Sequence, residues 1–535
     1  MAVRFSKRSL TLSVVLVVIL DFWFYYASST DYSPLIGLSP ITSTNSTKDG
    51  NSTVQDTNLP QHPVSHYYES HLPERETLRR EALSEIIEAI VAHAPNNLTA
   101  LNHYRGHPPN QMYNGRPDPV FTQDYLNKFL KVDREHMLAL ADAHAGFVNT
   151  MHNTLNYDFE EERMQYKGDG IVYVGGLGSY NWLTLLSIRH VRHLGSKLPI
   201  EVILPLHKDA EEGYCELLAT MDAKCVILED FVDEHVKGFQ LKGLALLVSS
   251  FERVLLLDAD NIPAHTPDRL FEEGPFANDS GLVVWPDYWR RATHPVFYDI
   301  VNITLGTERV SFGENDKERD DEVIPVHDLE GGIPNPSSES GQLLLNKRTN
   351  WYTTLLSTYY NFYGPNYYYP LFSQGTLGQG DKETFLSAAV VVDETFYQVK
   401  RFVIPFGHFN RHGSFRGGAI GQFDPIQDES HQKDKENTKG PQVMFVHSNT
   451  PKLNPLSLRT ASELVEEEKR KRLYGTGMRK SIGYDFEWQI WDHMRVLLCE
   501  VKVQMSTWNE IPVQELCEDV KAQCMHLEKS AKNNE

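Results

Sequence analysis

Two carboxylates stand at the end of an apolar run, in Leu255-Leu256-Leu257-Asp258-Ala259-Asp260-Asn261. An extended chain alternates its side chains with a period of two, so a strand running through this segment aims Asp258 and Asp260 to one side. Carboxylates held that close repel unless a cation lies between them. Hard divalent ions such as Mg²⁺ and Mn²⁺ suit such a pair, with diphosphate oxygens completing the shell. Asp-x-Asp also occurs as plain turn chemistry at strand ends, and its position sets this example apart.

The segments before it build that position. Ile171 to Val174 is a short apolar run closed by Gly175-Gly176-Leu177-Gly178, residues 181–194 carry a helical pattern, and Ile200 to Leu204 is a second strand. Residues 210–221 form a second helix, Cys225 to Leu228 a third strand, residues 239–250 a third helix, and Val254 to Leu257 the fourth strand. Apolar strands alternating with helices predict an α/β fold with a sheet covered on both faces. Ligands of such sheets bind beyond the carboxyl ends of the strands. The glycine turn is not G-x-G-x-x-G and lacks the acidic residue of a dinucleotide fold, so Gly175 and Gly176 are expected to let backbone approach a nucleotide. Tyr180 and Trp182 follow it, suited to touching a base or to packing.

The chain of 535 residues carries a net charge of −21 and is 41% hydrophobic. That charge excludes a general nucleic-acid binder, because no broad surface neutralises phosphates. A phosphate-bearing ligand needs a local cation instead. Arg4, Lys7 and Arg8 precede an apolar stretch over 9–27, long enough to span a bilayer. Basic residues on the short side keep residues 1–8 in the cytosol and direct the rest to the lumen; a cleaved signal peptide is the alternative. Residues 28–74 read as a flexible stem and 75–156 as a helical neck. The polar segments 306–332 and 427–440 read as surface insertions, 460–473 as a charged helix, and the remainder as a helical tail with Trp488 and Trp491 turned inward. Sequons begin at Asn45, Asn51, Asn97, Asn278 and Asn302. Five cysteines without metal spacing admit a Cys215–Cys225 disulfide and one more among Cys499, Cys517 and Cys524.

Five segments in order, VLLLDADNIP, VVWPDYW, ESGQLLLNK, GQGDKETF and MFVHSNTPK, resemble the fungal Golgi α-mannosyltransferase family, which includes the α-1,2 enzymes of mannan branching and α-1,3 relatives. The resemblance covers about 165–460 and implies a glycosyltransferase fold of the GT-A type, with 461–535 as a helical extension. It implies a GDP-mannose donor, Mn²⁺, retention of configuration and an α-mannose-terminated glycan acceptor. It also implies a single-pass type II protein of the Golgi membrane, in transferase complexes or as a homo-oligomer. By the family pattern, and a weaker similarity to glycogenin-like enzymes, Asp258, Asp260 and His447 hold the metal. Lys452 and Lys242 approach the donor. Asp381, Glu339 and Gln342 form the sugar end, and Trp285, Asp287, Tyr288 and Trp289 offer an aromatic, acidic patch. A carboxylate nucleophile, for which Asp381 is the choice, and same-face attack by the acceptor both remain open. α-1,3 transfer, an inactive sugar-binding scaffold and a glycosidase are the competing readings; the last expects two separated carboxylates and no metal pair.

Overall fold

The computed structural model describes residues 73–109, 119–157, 159, 164–232, 236, 238–278, 280–310, 323–434, 440–467 and 469–532. The segment at 9–27 and the stem as far as residue 72 lie outside these residues, the last two stem positions belong to the helix Pro73–Ala92, and none of the described helices is long and apolar enough to cross a membrane.

The chain forms a mixed α/β structure around a seven-stranded sheet. Its strands are β1 (Asp169–Val174), β2 (Ile200–Leu204), β3 (Ala223–Ile227), β4 (Arg253–Leu257), β6 (Leu282–Pro286), β7 (Ser338–Asn346) and β8 (Phe396–Gln398). A four-stranded sheet contains β5 (Asn261–Pro263), β9 (Ile404–Phe409), β10 (Phe415–Phe423) and β11 (Val443–His447). The orders are β3-β2-β1-β4-β7-β6-β8 and β5-β11-β10-β9. The first four strands are mutually parallel, as their near-continuous apolar sequences require. Val254 to Leu257 of the central β4 are fully buried.

β7 breaks the parallel run, and this places the site. It runs antiparallel to β4 with Leu257 opposite Gln342. The polar first half of β7, Ser338 to Gly341, therefore extends past the carboxyl end of β4. β6 pairs antiparallel with β7, with Trp285 opposite Glu339, so Asp287 reaches the same edge. There its N–H donates to the Ser337 carbonyl (2.8 Å).

The helix Ser179–His193 packs against the late helix Phe486–Arg495. Ile482, Phe486, Ile490, Trp491, Leu516 and Leu527 share one apolar core with Ile171, Leu204 and Leu255, so the carboxyl-terminal region is built into the core of the seven-stranded sheet. Trp491 is buried and Trp488 partly so. The neck comprises helices Pro73–Ala92, Gln123–Leu126 and Arg134–Asn153. It is fastened to the main body by tyrosines: Tyr359 donates to the His93 carbonyl and Tyr363 to that of Ile90, each at 2.9 Å.

Three expectations need correction. Residues 460–473 form no helix; Val465–Glu466 pairs with Lys469–Arg470 as a short hairpin. The segment is charged but offers no apolar stripe to dock a helix. The segment 306–332 is not wholly superficial, since Val326, His327 and Asp328 are buried. Nor is 427–440: Asp428 is buried in the helix Pro425–Lys433 and accepts from Tyr397 Oη (2.8 Å), Lys400 N (2.7 Å) and Arg401 N (2.9 Å). Asp428 is spent on satisfying buried backbone N–H groups and Asp328 on pairing with Arg309, which hydropathy alone does not reveal.

Cys215–Cys225 and Cys499–Cys517 are disulfides, leaving Cys524 as a buried thiol. The second, between residues 18 apart, joins the helical segment Val496–Val501 to the last helix, Val513–Lys532. Replacing Cys499 and Cys517 together by serine is expected to cost about 3 kcal/mol of stability. Thermal unfolding checks this; an unchanged melting temperature in the double variant would show that the bridge contributes nothing.

Candidate metal centre

β4 ends at Leu257, and the two aspartates lie on the turn joining it to β5. Asp258 N–H still donates to Gly341 O of β7 (2.8 Å), whereas Asn261 N–H turns back to Asp258 O (3.0 Å). A turn thus replaces the expected strand alternation, and the carboxylates still converge. β11 then supplies the third group: Asn261 pairs with His447 in the smaller sheet. One ligand atom from each of Asp258, Asp260 and His447 lies within 4.8 Å of the others.

Gly341 makes room for this. A Cβ there would stand 2.8 Å from His447 Nδ1 and 3.0 Å from Asn261 Nδ2. Both carboxylates have lysine partners. Lys242 Nζ lies 2.8 Å from Asp258 Oδ1 and 3.1 Å from Asp381 Oδ2. It also donates to Ser340 O (2.8 Å) and Oγ (3.1 Å), and Ser340 Oγ donates to Asp381 Oδ1 (3.1 Å). Lys242 is buried in the helix Leu241–Val248, which excludes a solvated helix face. Burial works against its charge, but Asp258 and Asp381 outweigh that and raise its pKa. Burial drives the Asp381 carboxyl up to about 6, with Lys242 opposing and Asp258 adding to the rise.

Lys452 pairs with Asp260, and His447 Nε2 lies 3.4 Å from the same Oδ2. Burial opposes the Asp260 charge, yet these two cations hold its pKa well below the carboxylate range. Glu339 Oε2 faces His447 Nδ1 at 3.7 Å, and its Oε1 accepts from the N–H groups of Ser340 and Gly341, both at 2.9 Å. Burial raises the Glu339 pKa, but His447 and the Gly341 N–H prevail and bring it to about 2. His447 is lowered by burial and raised further by Asp260 and Glu339, to about 10. As a metal ligand the ring gives up that proton, so cation and proton compete for it.

The structure therefore gathers Asp258, Asp260, His447, Glu339, Lys242, Asp381 and Lys452 at one sheet edge. Gln342 is set apart: it is fully buried with its amide against the Asn261 side chain, where it supports the β5 turn. Gly176, at φ +109°, donates to Asn181 Oδ1 (2.7 Å), and Gly175 donates to Ile203 O (2.9 Å). This turn closes β1, the parallel neighbour of β4. Tyr180 is surface-exposed, whereas Trp182 is a packing residue whose Nε1 donates to Leu453 O (2.8 Å). Trp285 is likewise core, donating to Phe423 O (2.7 Å).

Three residues gain weight that their motifs alone did not indicate. Ser340 bridges Lys242 and Asp381. Asn181 holds the glycine turn against Asp209 O (2.8 Å). Lys382 pairs with the buried Asp287 at 2.6 Å. Burial raises the Asp287 pKa, Lys382 opposes this, and Glu339 adds to the rise, which places the pair beside the sugar-end carboxylate. Lys382 and Asp287 sit within quoted segments, but 95 residues separate them, and spacing gives no sign of their contact.

Two oxygens and one imidazole nitrogen fit a hard to borderline divalent ion. An ion at about 2.1 Å holds its ligands up to about 4.2 Å apart, so slight closure of this trio would suffice.

Residues 168–424 match the family described as "Mannosyltransferase putative". The chain is 41% identical over 461 residues to α-1,2-mannosyltransferase MNN21 of Candida albicans, covering 77% of this chain and 69% of that protein. It is 38% identical over 468 residues to MNN24 of the same organism, covering 76% and 65%. With MNN2 of Saccharomyces cerevisiae, also an α-1,2-mannosyltransferase, it shares 34% identity over 429 residues, covering 70% of each. The chain spans about two-thirds of the length of these relatives.

Gly341→Ala is expected to push His447 off the aspartates and weaken Mn²⁺ binding at least tenfold, with little change in melting temperature. Calorimetric titration with Mn²⁺ measures this; wild-type affinity would show that the glycine is not needed for the cluster.

Proposed function

The chain belongs to this mannosyltransferase family and is a glycosyltransferase, and from that premise we propose that it transfers mannose from GDP-mannose to an α-mannose-terminated glycan, forming an α-1,2 linkage with retention. The names of the relatives support the sugar and the linkage. The convergence of Asp258, Asp260 and His447 carries the reading, because a nucleotide-sugar donor brings two phosphate charges to an acidic protein. The sheet order, with antiparallel β7 beside the carboxyl end of β4, supports a GT-A-type fold. The apolar stretch over 9–27 behind Arg4, Lys7 and Arg8, together with the sequons, supports a type II orientation in the Golgi membrane, with the folded region lumenal.

Asp258, Asp260 and His447 would hold Mn²⁺, which supplies Lewis-acid stabilisation of the departing diphosphate. The chain's own residues do the remaining work. Cleavage at the mannose C1 leaves an oxocarbenium-like sugar and an anionic leaving group. Lys242 holds Asp258 of the metal trio and Asp381 of the sugar end in place together. Asp381, reached by both Lys242 and Ser340, presents a carboxylate toward the developing positive charge. Glu339 orients the His447 ring from behind, a role that outer carboxylates play at metal-bound histidines. Lys452 offers a point charge to the diphosphate. The buried Lys382–Asp287 pair borders the sugar end and is suited to hydroxyl recognition.

Asp258→Ala and Asp260→Ala should each lower transfer at least a thousandfold, in line with loss of a principal electrostatic stabiliser. The assay combines the purified full chain, GDP-mannose, Mn²⁺ and α-linked mannobiose, with a chelator control and linkage analysis of the product. Wild-type-like transfer in either folded variant would remove the metal assignment, and a 1,3-linked product would remove the linkage.

A further inference from the structure

Scattered apolar side chains on a surface are ordinary, so an exposed phenylalanine needs a reason to be singled out. Phe239 is 53% exposed and lies in the turn Gly238–Gln240, which leads into the helix Leu241–Val248 three residues before Lys242. Its ring rests on the segment that enters the sugar end. A Cβ at Gly380 would stand 3.1 Å from Phe239 Cδ2, and Asp381 is the next residue. The buried Tyr369 meets the ring edge to face, with centroids 6.4 Å apart. Gln240 Nε2 anchors the turn by donating to Phe362 O (2.8 Å). Glycine and tyrosine therefore back part of the phenyl ring, and the rest stays open beside the site.

A second group stands two residues back on the same loop. A Cβ at Gly378 would lie 2.7 Å from Lys382 Nζ and 3.7 Å from Asp287 Oδ2. An ammonium carries three donors, and Asp287 takes one at 2.6 Å, which leaves two for a ligand. Lys382 is only 7% exposed, and burial makes unmet hydrogen bonds costly. Gly378 and Gly380 are separated by at most about 7 Å of chain. A flat apolar face and two buried donors thus flank one short stretch of loop. Pyranoses present the matching chemistry, with C–H groups on a face and hydroxyls round the rim. Asp287 neutralises Lys382, so the pair suits an uncharged sugar, whereas the groups suited to a diphosphate gather on Asp260. The donor is anchored by its diphosphate; the acceptor is a neutral glycan and depends on a face of this kind.

We propose that Phe239 is a stacking platform for the acceptor: the terminal mannose lays a C–H face on the phenyl ring while its hydroxyls meet Lys382. This rests on the mannosyl-transfer reading and adds where the acceptor binds. Phe239 then sets the affinity for the acceptor and not that for the donor.

The test titrates the purified full chain with α-linked mannobiose by saturation-transfer NMR, with GDP and Mn²⁺ present, and measures KM for mannobiose and for GDP-mannose separately by steady-state transfer. Phe239→Ala should weaken mannobiose binding and raise its KM about fivefold or more, the scale of an aromatic contact, with KM for GDP-mannose and the melting temperature unchanged. Phe239→Leu, apolar but without a flat ring, should fall with alanine, and Phe239→Trp should restore wild-type affinity. Lys382→Gln, which keeps a donor toward Asp287, should weaken mannobiose in both readouts. Unchanged mannobiose affinity in Phe239→Ala, a raised KM for GDP-mannose in its place, or wild-type affinity in Phe239→Leu or Lys382→Gln overturns the proposal. A wild-type chain that binds mannobiose through Phe239 yet transfers no mannose sinks the mannosyl-transfer reading and leaves the platform standing.

Discussion

The Lys242 ammonium is the interaction on which the site's arrangement depends. It joins the turn after β4, the first half of β7 and the segment entering the helix Thr384–Val392 through Asp258, Ser340 and Asp381. Removing a charge from water costs several kcal/mol, and only good geometry with further hydrogen bonds recovers it. Lys242 meets that condition with two carboxylates, a carbonyl and a hydroxyl. An unpaired Asp381 at this depth would be driven to take up a proton, since burial already pushes its carboxyl to about 6. One buried cation therefore fixes two carboxylates from different segments at one sheet edge.

That cation is effective because of the strand order. Inserting an antiparallel β7 beside β4 carries a polar half-strand beyond the end of the parallel sheet. Glu339, Ser340 and Gly341 then stand across from the Asp-x-Asp turn rather than inside the sheet. The short β5 leaves that same turn and pairs with β11, bringing His447 in from late in the chain. Gly341 of the larger sheet faces His447 and Asn261 of the smaller one, and its missing side chain is the space the imidazole occupies.

The first four strands and the helices between them were readable because each is an apolar run of the right length, bounded by glycine or polar residues. Asp258 and Asp260 were readable as a pair because they follow such a run. His447 and Lys452 were found through motif resemblance, since no periodicity links Asp260 to a lysine 192 residues later. The misreadings share one cause. Asp428, His327 and Asp328 belong to charge-rich stretches yet are buried, with Asp428 accepting from Tyr397 and two backbone N–H groups, His327 Nδ1 against Ile333 O, and Asp328 beside Arg309. Composition reports average exposure and is blind to such pairing. The hairpin at 465–470 is the converse, charged residues with helix-compatible types but no apolar face to hold a helix.

The overall charge of −21 and the local chemistry then fit together. An acidic surface disfavours anionic ligands in general, which leaves recognition to a few placed cations. At the sheet edge Lys242, Lys382, Lys452 and His447 stand against Asp258, Asp260, Asp287, Glu339 and Asp381. The carboxylates outnumber the cations by one, so the edge is suited to attract a metal ion while its lysines are already engaged.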